Sequence, residues 1–204
     1  MMKQPLRTRR SPRKRGYCVD ITRRIAAAVL AVSLAIPDAT GQTAKLTEYQ
    51  VKAAYLLNFG KFVRRSDGRA PEGSFDICLL GHDPMGQTLD DLAQSQTIGG
   101  LPTQIRRIPD VTQARGCSIL FISSDQEDHL REDLAILSTS DVLTVSDASD
   151  FLDRGGMIQF VLIQNHVRFA VNLNAVNRTH LILSSELLRV ASSLTGMPAK
   201  GELP

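Results

Sequence analysis

The cysteines carry the most distinctive chemistry in the sequence, which contains three of them, Cys18, Cys78 and Cys117. Cys78 and Cys117 lie in short apolar runs, 75–81 and 117–123, that have the composition of half-buried strands. In an oxidising compartment the two thiols could form a disulfide, which would close a loop of 39 residues and contribute about 3 to 4 kcal/mol. The alternative is a pair of reduced thiols that pack as small apolar side chains. The absence of a Cys-x-x-Cys motif argues against a dithiol oxidoreductase.

The remaining reactive side chains are not grouped for catalysis or metal binding. His82, His129, His166 and His180 lie in four separate segments, without the close spacing that prearranges metal ligands. The sequence has no Gly-x-Ser-x-Gly elbow and no glycine-rich phosphate loop. We therefore predict that the protein is not an enzyme and has no catalytic residues, no metal site and no cofactor.

Polar residues follow three of the predicted strands at their carboxyl ends. In an open α/β sheet, ligands bind in the crevice beyond those ends. A rim for a small ligand or a partner is therefore predicted at His82, Asp83, Ser123, Ser124, Ser146 and Asp147. The alternative is that these Ser and Asp residues cap the helices that follow them.

The spacing of apolar residues predicts alternating helices and strands after residue 45. An amphipathic helix is expected over 46–65, with Thr47 at its N-cap. Further helices are expected at 85–93, 125–137, 146–154 and 184–194. Strands are expected at 75–81, 104–108, 117–123, 141–145, 157–163 and 167–173, and the last two should form a hairpin.

This alternation predicts an α/β fold. Strands separated by helices are typical of a parallel sheet with both faces covered. We expect a three-layer, mainly parallel sheet flanked by helices, with a C-terminal antiparallel hairpin at one edge. At 204 residues the chain has the length of one domain, predicted at 46–195, followed by a loose tail at 196–204.

The N-terminal segment has the pattern of an export signal. Residues 1–41 hold nine of the 24 Lys and Arg residues but only two of the 21 Asp and Glu residues. The apolar run 25–36 follows the basic residues, and it is shorter than the ~20 residues needed to span a bilayer. We therefore predict a cleaved signal peptide at 1–41, which would remove Cys18, and a periplasmic location. The choice between the Sec and Tat routes stays open.

Cleavage would reverse the net charge. The whole chain carries +3, whereas residues 42–204 hold 15 basic and 19 acidic residues, a net charge of −4. Nucleic-acid binding needs a basic surface on the folded domain. We therefore predict no nucleic-acid partner and no insertion into a membrane after cleavage.

Short motifs in a fixed order run along the predicted domain. They are EYQVKAAYLLNF (48–59) with KF (61–62), ICLLG (77–81) with DP (83–84), CSILFIS (117–123), VLTVSD (142–147), GGMI (155–158), and VRF (167–169) with NL (172–173). Together they resemble the YfiR family of small periplasmic regulators over about 46–191. The motifs describe a fold and not a catalytic site, so they identify the family better than its activity.

The resemblance implies a periplasmic repressor in cyclic di-GMP signalling. Such a protein holds an inner-membrane diguanylate cyclase inactive by binding its periplasmic sensor domain, and releases it under envelope or redox stress. Cys78 and Cys117 match the family's disulfide pair, and a homodimer is expected. The chain lacks the second pair found in some relatives, and it has Ala170 where an acidic residue is expected. The alternative function is a periplasmic protein that binds or senses a small ligand at the predicted rim.

Overall fold

The computed structural model describes residues 46–196, except residues 70 and 72. The predicted signal peptide at 1–41 and the predicted tail beyond residue 196 lie outside the described residues. Among the helices that are described, none is long and apolar enough to cross a membrane.

An eight-stranded sheet forms the centre of the described domain. The strands along the chain are β1 (Val63–Arg65), β2 (Phe75–Leu80), β3 (Thr97–Ile98), β4 (Leu101–Ile108), β5 (Ile119–Ile122), β6 (Leu143–Ser146), β7 (Ile158–Ile163), β8 (His166–Asn172), β9 (Leu181–Leu183) and β10 (Ser193–Thr195). The order in the large sheet is β10-β8-β7-β6-β5-β2-β4-β3, and β1 pairs with β9 in a separate antiparallel ribbon. Strands β4, β2, β5, β6 and β7 are parallel to one another. The predicted mainly parallel α/β fold is confirmed.

The hairpin β7–β8 lies at one end of this sheet and is antiparallel. Its turn residues, Gln164 and Asn165, have φ values of 49° and 60°, as a two-residue type I′ turn requires. The three-residue β10 pairs in parallel with β8 outside the hairpin. The predicted hairpin is therefore present at its expected end of the sheet, with one short strand beside it.

Within the described residues, five helices connect or flank the strands. They are α1 (Glu48–Phe62), α2 (Gln87–Gln94), α3 (Leu130–Leu137), α4 (Leu173–Val176) and α5 (Ser185–Val190). Two 3₁₀ helices, Val111–Gly116 and Ser124–Gln126, precede and follow β5.

Helix α1 begins at a capping box. The Thr47 hydroxyl accepts the Gln50 N–H, and the Gln50 side chain accepts the Thr47 N–H, which satisfies two amides that the first turn leaves free. The helix was predicted to continue to residue 65, but it ends at Phe62 because the chain turns into β1 and pairs with β9. The periodic apolar residues at 62 and 63 therefore belong to two different elements.

Alternating side chains of the strands build two apolar layers. Ile77 and Leu79 of β2 point into a core shared with α1 and α2, whereas Cys78 and Leu80 point into a second core with α3 and the first 3₁₀ helix. A side-chain period of two requires this division. The sheet is thus the middle of three layers, and both of its faces are buried.

Residues 146–154 were predicted to form a short helix, but they form a series of turns. Ser146 is the last residue of β6, and its hydroxyl accepts the Ala148 N–H at 3.0 Å. The segment buries Phe151 completely and ends at Gly155 with φ 102°. The segment therefore covers the second core, and the spacing of its apolar residues resembles that of an amphipathic helix.

This turn segment requires glycine at position 156, because a Cβ atom there would overlap the Phe151 ring. We expect Gly156→Ala to lower the free energy of unfolding by about 2 kcal/mol through overpacking. Gly116→Ala is the matched control, since the nearest atom to its added Cβ is the Arg106 Nη1 at 3.6 Å. Urea unfolding of both variants checks the prediction, and equal midpoints would contradict it.

Candidate functional site

The predicted rim is divided among three groups of contacts, and the first of them surrounds Asp125. The His82 backbone N–H donates to both Asp125 carboxylate oxygens, at 3.3 and 3.2 Å. Burial raises the pKa of Asp125, but hydrogen bonds from Ser123, His82 and Gln126 outweigh it and hold that pKa below its ordinary value. Ser123 is buried at the end of β5, and Ser124 is exposed in the 3₁₀ helix that follows.

The second group is an ion-pair network at Asp83. One of its carboxylate oxygens accepts the backbone N–H groups of Met85 and Gly86, and the other lies 2.6 Å from the Arg107 guanidinium. Arg107 also binds Asp90 at 2.7 Å. Burial raises the pKa of Asp83, but these hydrogen bonds outweigh burial and lower it. The group fixes the turn between β2 and α2 against β4.

The third group joins β6 to α1 through a buried lysine. Lys52 Nζ lies 2.8 Å from Asp147 Oδ2 and 2.6 Å from Glu48 Oε1. The side chains of Lys52 and Asp147 are only 5% and 10% exposed, and the ammonium lies 4.6 Å from the centre of the Tyr49 ring. Burial lowers the pKa of Lys52, but the two carboxylates outweigh burial and raise it.

These contacts occupy most of the predicted rim. Ser146 and Asp83 close turns, Asp147 binds a buried ammonium, and Ser123 bonds through its backbone to Leu80. The geometry therefore favours structural roles for these side chains. A ligand at this end of the sheet stays a prediction. No group of three or more potential metal-ligating side chains occurs within the described part of the chain.

Cys78 and Cys117 form a disulfide in the structure, with Cα atoms 5.9 Å apart. Cys78 lies inside β2 and is fully buried. Cys117 was expected to begin a strand, but it is the C-cap of the 3₁₀ helix Val111–Gly116, and β5 begins at Ile119. The bond therefore fastens that 3₁₀ helix to the sheet and does not join two strands.

A cavity of about 870 Å³ lies at the opposite end of the sheet, where β2, β5 and β6 begin. One wall is formed by the end of α1 and by β1, and the other by the segment 115–118, Ile136 and residues 139–142. We call it the amino-end groove, defined here by Lys61, Phe75, Arg115, Ile119 and Val142. The sequence did not predict this groove, because ligands of open α/β sheets are expected beyond the carboxyl ends of the strands. The basic run KFVRR at 61–65 is a signal that could have indicated it.

The comparisons with known proteins place the chain in a family. A model of the YfiR/HmsC-like family matches residues 49–192, which is most of the chain. The chain belongs to the YfiR/HmsC-like family. Members of this family are known as periplasmic regulators, and the predicted resemblance is confirmed.

Among solved structures, the chain is similar to a conserved domain protein from Vibrio cholerae O1 biovar El Tor strain N16961. The two share 9% sequence identity with a TM-score of 0.48. The match covers 74% of this chain and 61% of that protein, so the chain spans less than two thirds of its length. No curated protein matches the chain.

The segments that carry the YfiR/HmsC-like resemblance build the core and not an exposed site. Tyr55 and Phe59 of α1 pack against Phe160 and Phe169 of the hairpin, with the Phe59 and Phe169 ring centres 5.0 Å apart. The cysteine strand β2 supplies side chains to both apolar layers. The family match thus identifies a scaffold and does not assign an exposed site.

Proposed function

We propose that the chain is a periplasmic regulator that represses a membrane-bound signalling enzyme, a diguanylate cyclase, by binding its periplasmic sensor domain. The observation that carries the proposal is the family match over residues 49–192. The proposal includes export through the N-terminal signal peptide, a homodimeric state and action without a cofactor.

The contacts of the polar groups support a binding protein. Asp83, Asp147 and Ser146 are each held by hydrogen bonds within the fold, whereas a general acid or base has to reach a substrate directly or through one water. Exposed apolar side chains such as Leu162 and Ile163 at the tip of the hairpin, 54% and 46% exposed, are available for surface contacts. The fully buried centre of a protein interface is more apolar than the rest of the protein surface.

The test is crosslinking of the exported protein in intact cells, followed by purification of the tagged chain. We expect to recover a membrane protein with a periplasmic segment and a cytoplasmic cyclase domain, and we expect addition of the purified chain to reduce its synthesis of cyclic di-GMP. An exported protein of similar size and charge is the control. Recovery of no membrane signalling protein, or a recovered cyclase whose activity is unchanged, would contradict the proposal.

A second candidate function, binding of a small ligand, is favoured by the amino-end groove. Its volume of about 870 Å³ falls within the roughly 300–1,000 Å³ of ligand pockets. The sequence predicted such a site at the carboxyl ends of the strands, and this cavity lies at the other end. Ligand binding and repression are compatible, since a regulator can bind both an effector and an enzyme.

A further inference from the structure

We infer that the amino-end groove binds an organic anion with an apolar body, such as an aliphatic carboxylate. The inference rests on the second function proposed above and adds the chemical class of the ligand. Two features carry it: an apolar floor at the starts of the strands, and cations on both walls.

The floor is built from the first residues of several strands. Phe75 begins β2 and Ile119 begins β5, and Val142 directly precedes β6. Ile98 and Leu181 close the sides. These five side chains are each no more than 9% exposed, so the floor belongs to the packed core and is already in place before a ligand binds. The apolar surface that a ligand can cover lies around this floor, on Ile136, which is 48% exposed, and on the half-buried Val63 and Leu101.

The positively charged residues of the groove lie on its two walls. Lys61 and Arg64 lie on the wall formed by α1 and β1, and Arg115 lies on the opposite wall. All three side chains are exposed, and none of them has an ion pair among the described residues. The pKa of Glu186 is lowered mainly by hydrogen bonds from its own backbone N–H and from Ser184, with smaller contributions from the charges of Arg189 and Arg64, so Arg64 has an acidic neighbour. Lys61 and Arg115 are therefore the two cations best placed to meet a ligand.

The groove also contains a carboxylate, but its charge is compensated. Asp141 lies 2.6 Å from the Arg65 guanidinium and accepts the backbone N–H and the ring Nδ1 of His180, each at 3.0 Å. Asp67 also binds the Arg65 guanidinium, at 2.7 Å, and lies 3.9 Å from Arg69. This cluster of two arginines and two aspartates is neutral as a whole, so Lys61, Arg64 and Arg115 set the sign of the groove.

The groove is positively charged, whereas the domain as a whole is negatively charged. Residues 42–204 carry a net charge of −4, yet five of their 15 basic residues line this one groove, namely Lys61, Arg64, Arg65, Arg69 and Arg115. An apolar floor below opposed cations fits a ligand with one anionic end. A purely inorganic anion would leave the exposed Ile136 side chain in water, and an uncharged apolar molecule would leave the cations without a partner.

The experiment measures displacement of the fluorescent probe anilinonaphthalene sulfonate, an aromatic anion, from the purified exported protein. Because the chain has no Trp, the protein adds little fluorescence of its own. We expect one probe per chain, displaced by octanoate but not by acetate or octyltrimethylammonium at the same concentration. Lys61→Ala/Arg115→Ala should weaken binding of both probe and octanoate about tenfold, the effect of losing about 1.4 kcal/mol.

The matched control is Arg131→Ala/Arg189→Ala, which removes two exposed charges outside the groove and should leave both affinities unchanged. Urea midpoints for each variant show that probe binding reports the native fold and not a loosened state. Equal weakening by the two double variants, or displacement by the cation as strong as by octanoate, overturns the inference. Displacement only by an acidic peptide also overturns it and assigns the groove to a protein partner. Repression of the cyclase is measured separately, so either proposal can fail alone.

Discussion

Replacing both bonded cysteines, Cys78→Ala/Cys117→Ala, is expected to lower the free energy of unfolding by about 3 to 4 kcal/mol. The bond closes a segment of 39 residues, and removing it gives the unfolded chain more conformational freedom. The two sulfur atoms lie in the apolar core between the sheet and the first 3₁₀ helix. Alanine leaves a small cavity there, which adds to the loss.

Urea unfolding of the wild type, of the reduced wild type and of the double variant measures this effect. The reduced wild type should resemble the double variant. Cys78→Ser/Cys117→Ser should be less stable still, because a hydroxyl at the fully buried position 78 needs a hydrogen-bond partner in an apolar environment. A stability change below about 1 kcal/mol on reduction would contradict a structural role for the bond.

The loss of stability should be local as well as global. The bond attaches Cys117, the C-cap of the 3₁₀ helix Val111–Gly116, to the central strand β2. Hydrogen exchange in the reduced protein should therefore accelerate first at the 3₁₀ helix, while β2 stays protected by β4 and β5 on both sides. Because Arg115 belongs to this helix and to the wall of the amino-end groove, reduction would also loosen that wall.

The parallel sheet could be predicted from sequence because its strands are buried on both faces. The runs at β2 and β5 are short and almost wholly apolar, and turn residues mark where each of them ends. Such runs, separated by helical spacing, are typical of a doubly covered sheet. The Thr47 cap and the hairpin of residues 157–173 were equally predictable, since each depends on neighbouring residues alone.

The groove and the ribbon β1–β9 could not be predicted in this way. Val63 pairs with Leu183, and Arg65 pairs with Leu181, across more than a hundred residues of sequence. No local sequence pattern predicts such a pairing. The end of α1 depends on the same long-range contact. Likewise, Arg115 and Lys61 line the same groove only because the sheet has brought the starts of β2 and β5 together. The residues proposed for the rim could be named from the sequence, but the groups that bond to them, such as Arg107 and Lys52, lie in other elements.

Lys52→Met is expected to lower the free energy of unfolding by about 3 to 5 kcal/mol, the usual cost of leaving a buried charge without its partner. Methionine keeps the apolar stem of the side chain, so the loss reports the ammonium group. Without it, Asp147 retains a buried carboxylate whose Oδ1 has no hydrogen-bond partner among the described residues even in the wild type. Glu48 is half-buried and can turn to solvent, so Asp147 carries most of the cost.

A double-mutant cycle identifies the partner. Asp147→Asn in the Lys52→Met background should restore part of the lost stability, because it removes the uncompensated charge, whereas Asp147→Asn alone should destabilise. The control Lys61→Met changes an exposed lysine on the same helix and should shift stability by less than about 0.5 kcal/mol. Additive effects of the Lys52 and Asp147 changes would show that the two groups do not stabilise each other.

The pH dependence gives an independent check on the same ion pair. The pKa of Lys52 is raised in the folded protein, so its stabilising contribution is complete below the unfolded lysine pKa of about 10.4 and is lost as pH rises through the higher folded value. The difference in stability between the wild type and Lys52→Met should therefore stay constant from about pH 6 to 9 and shrink above about pH 10.4. A difference that persists unchanged at higher pH would contradict stabilisation by the ammonium charge, because methionine already supplies the apolar stem.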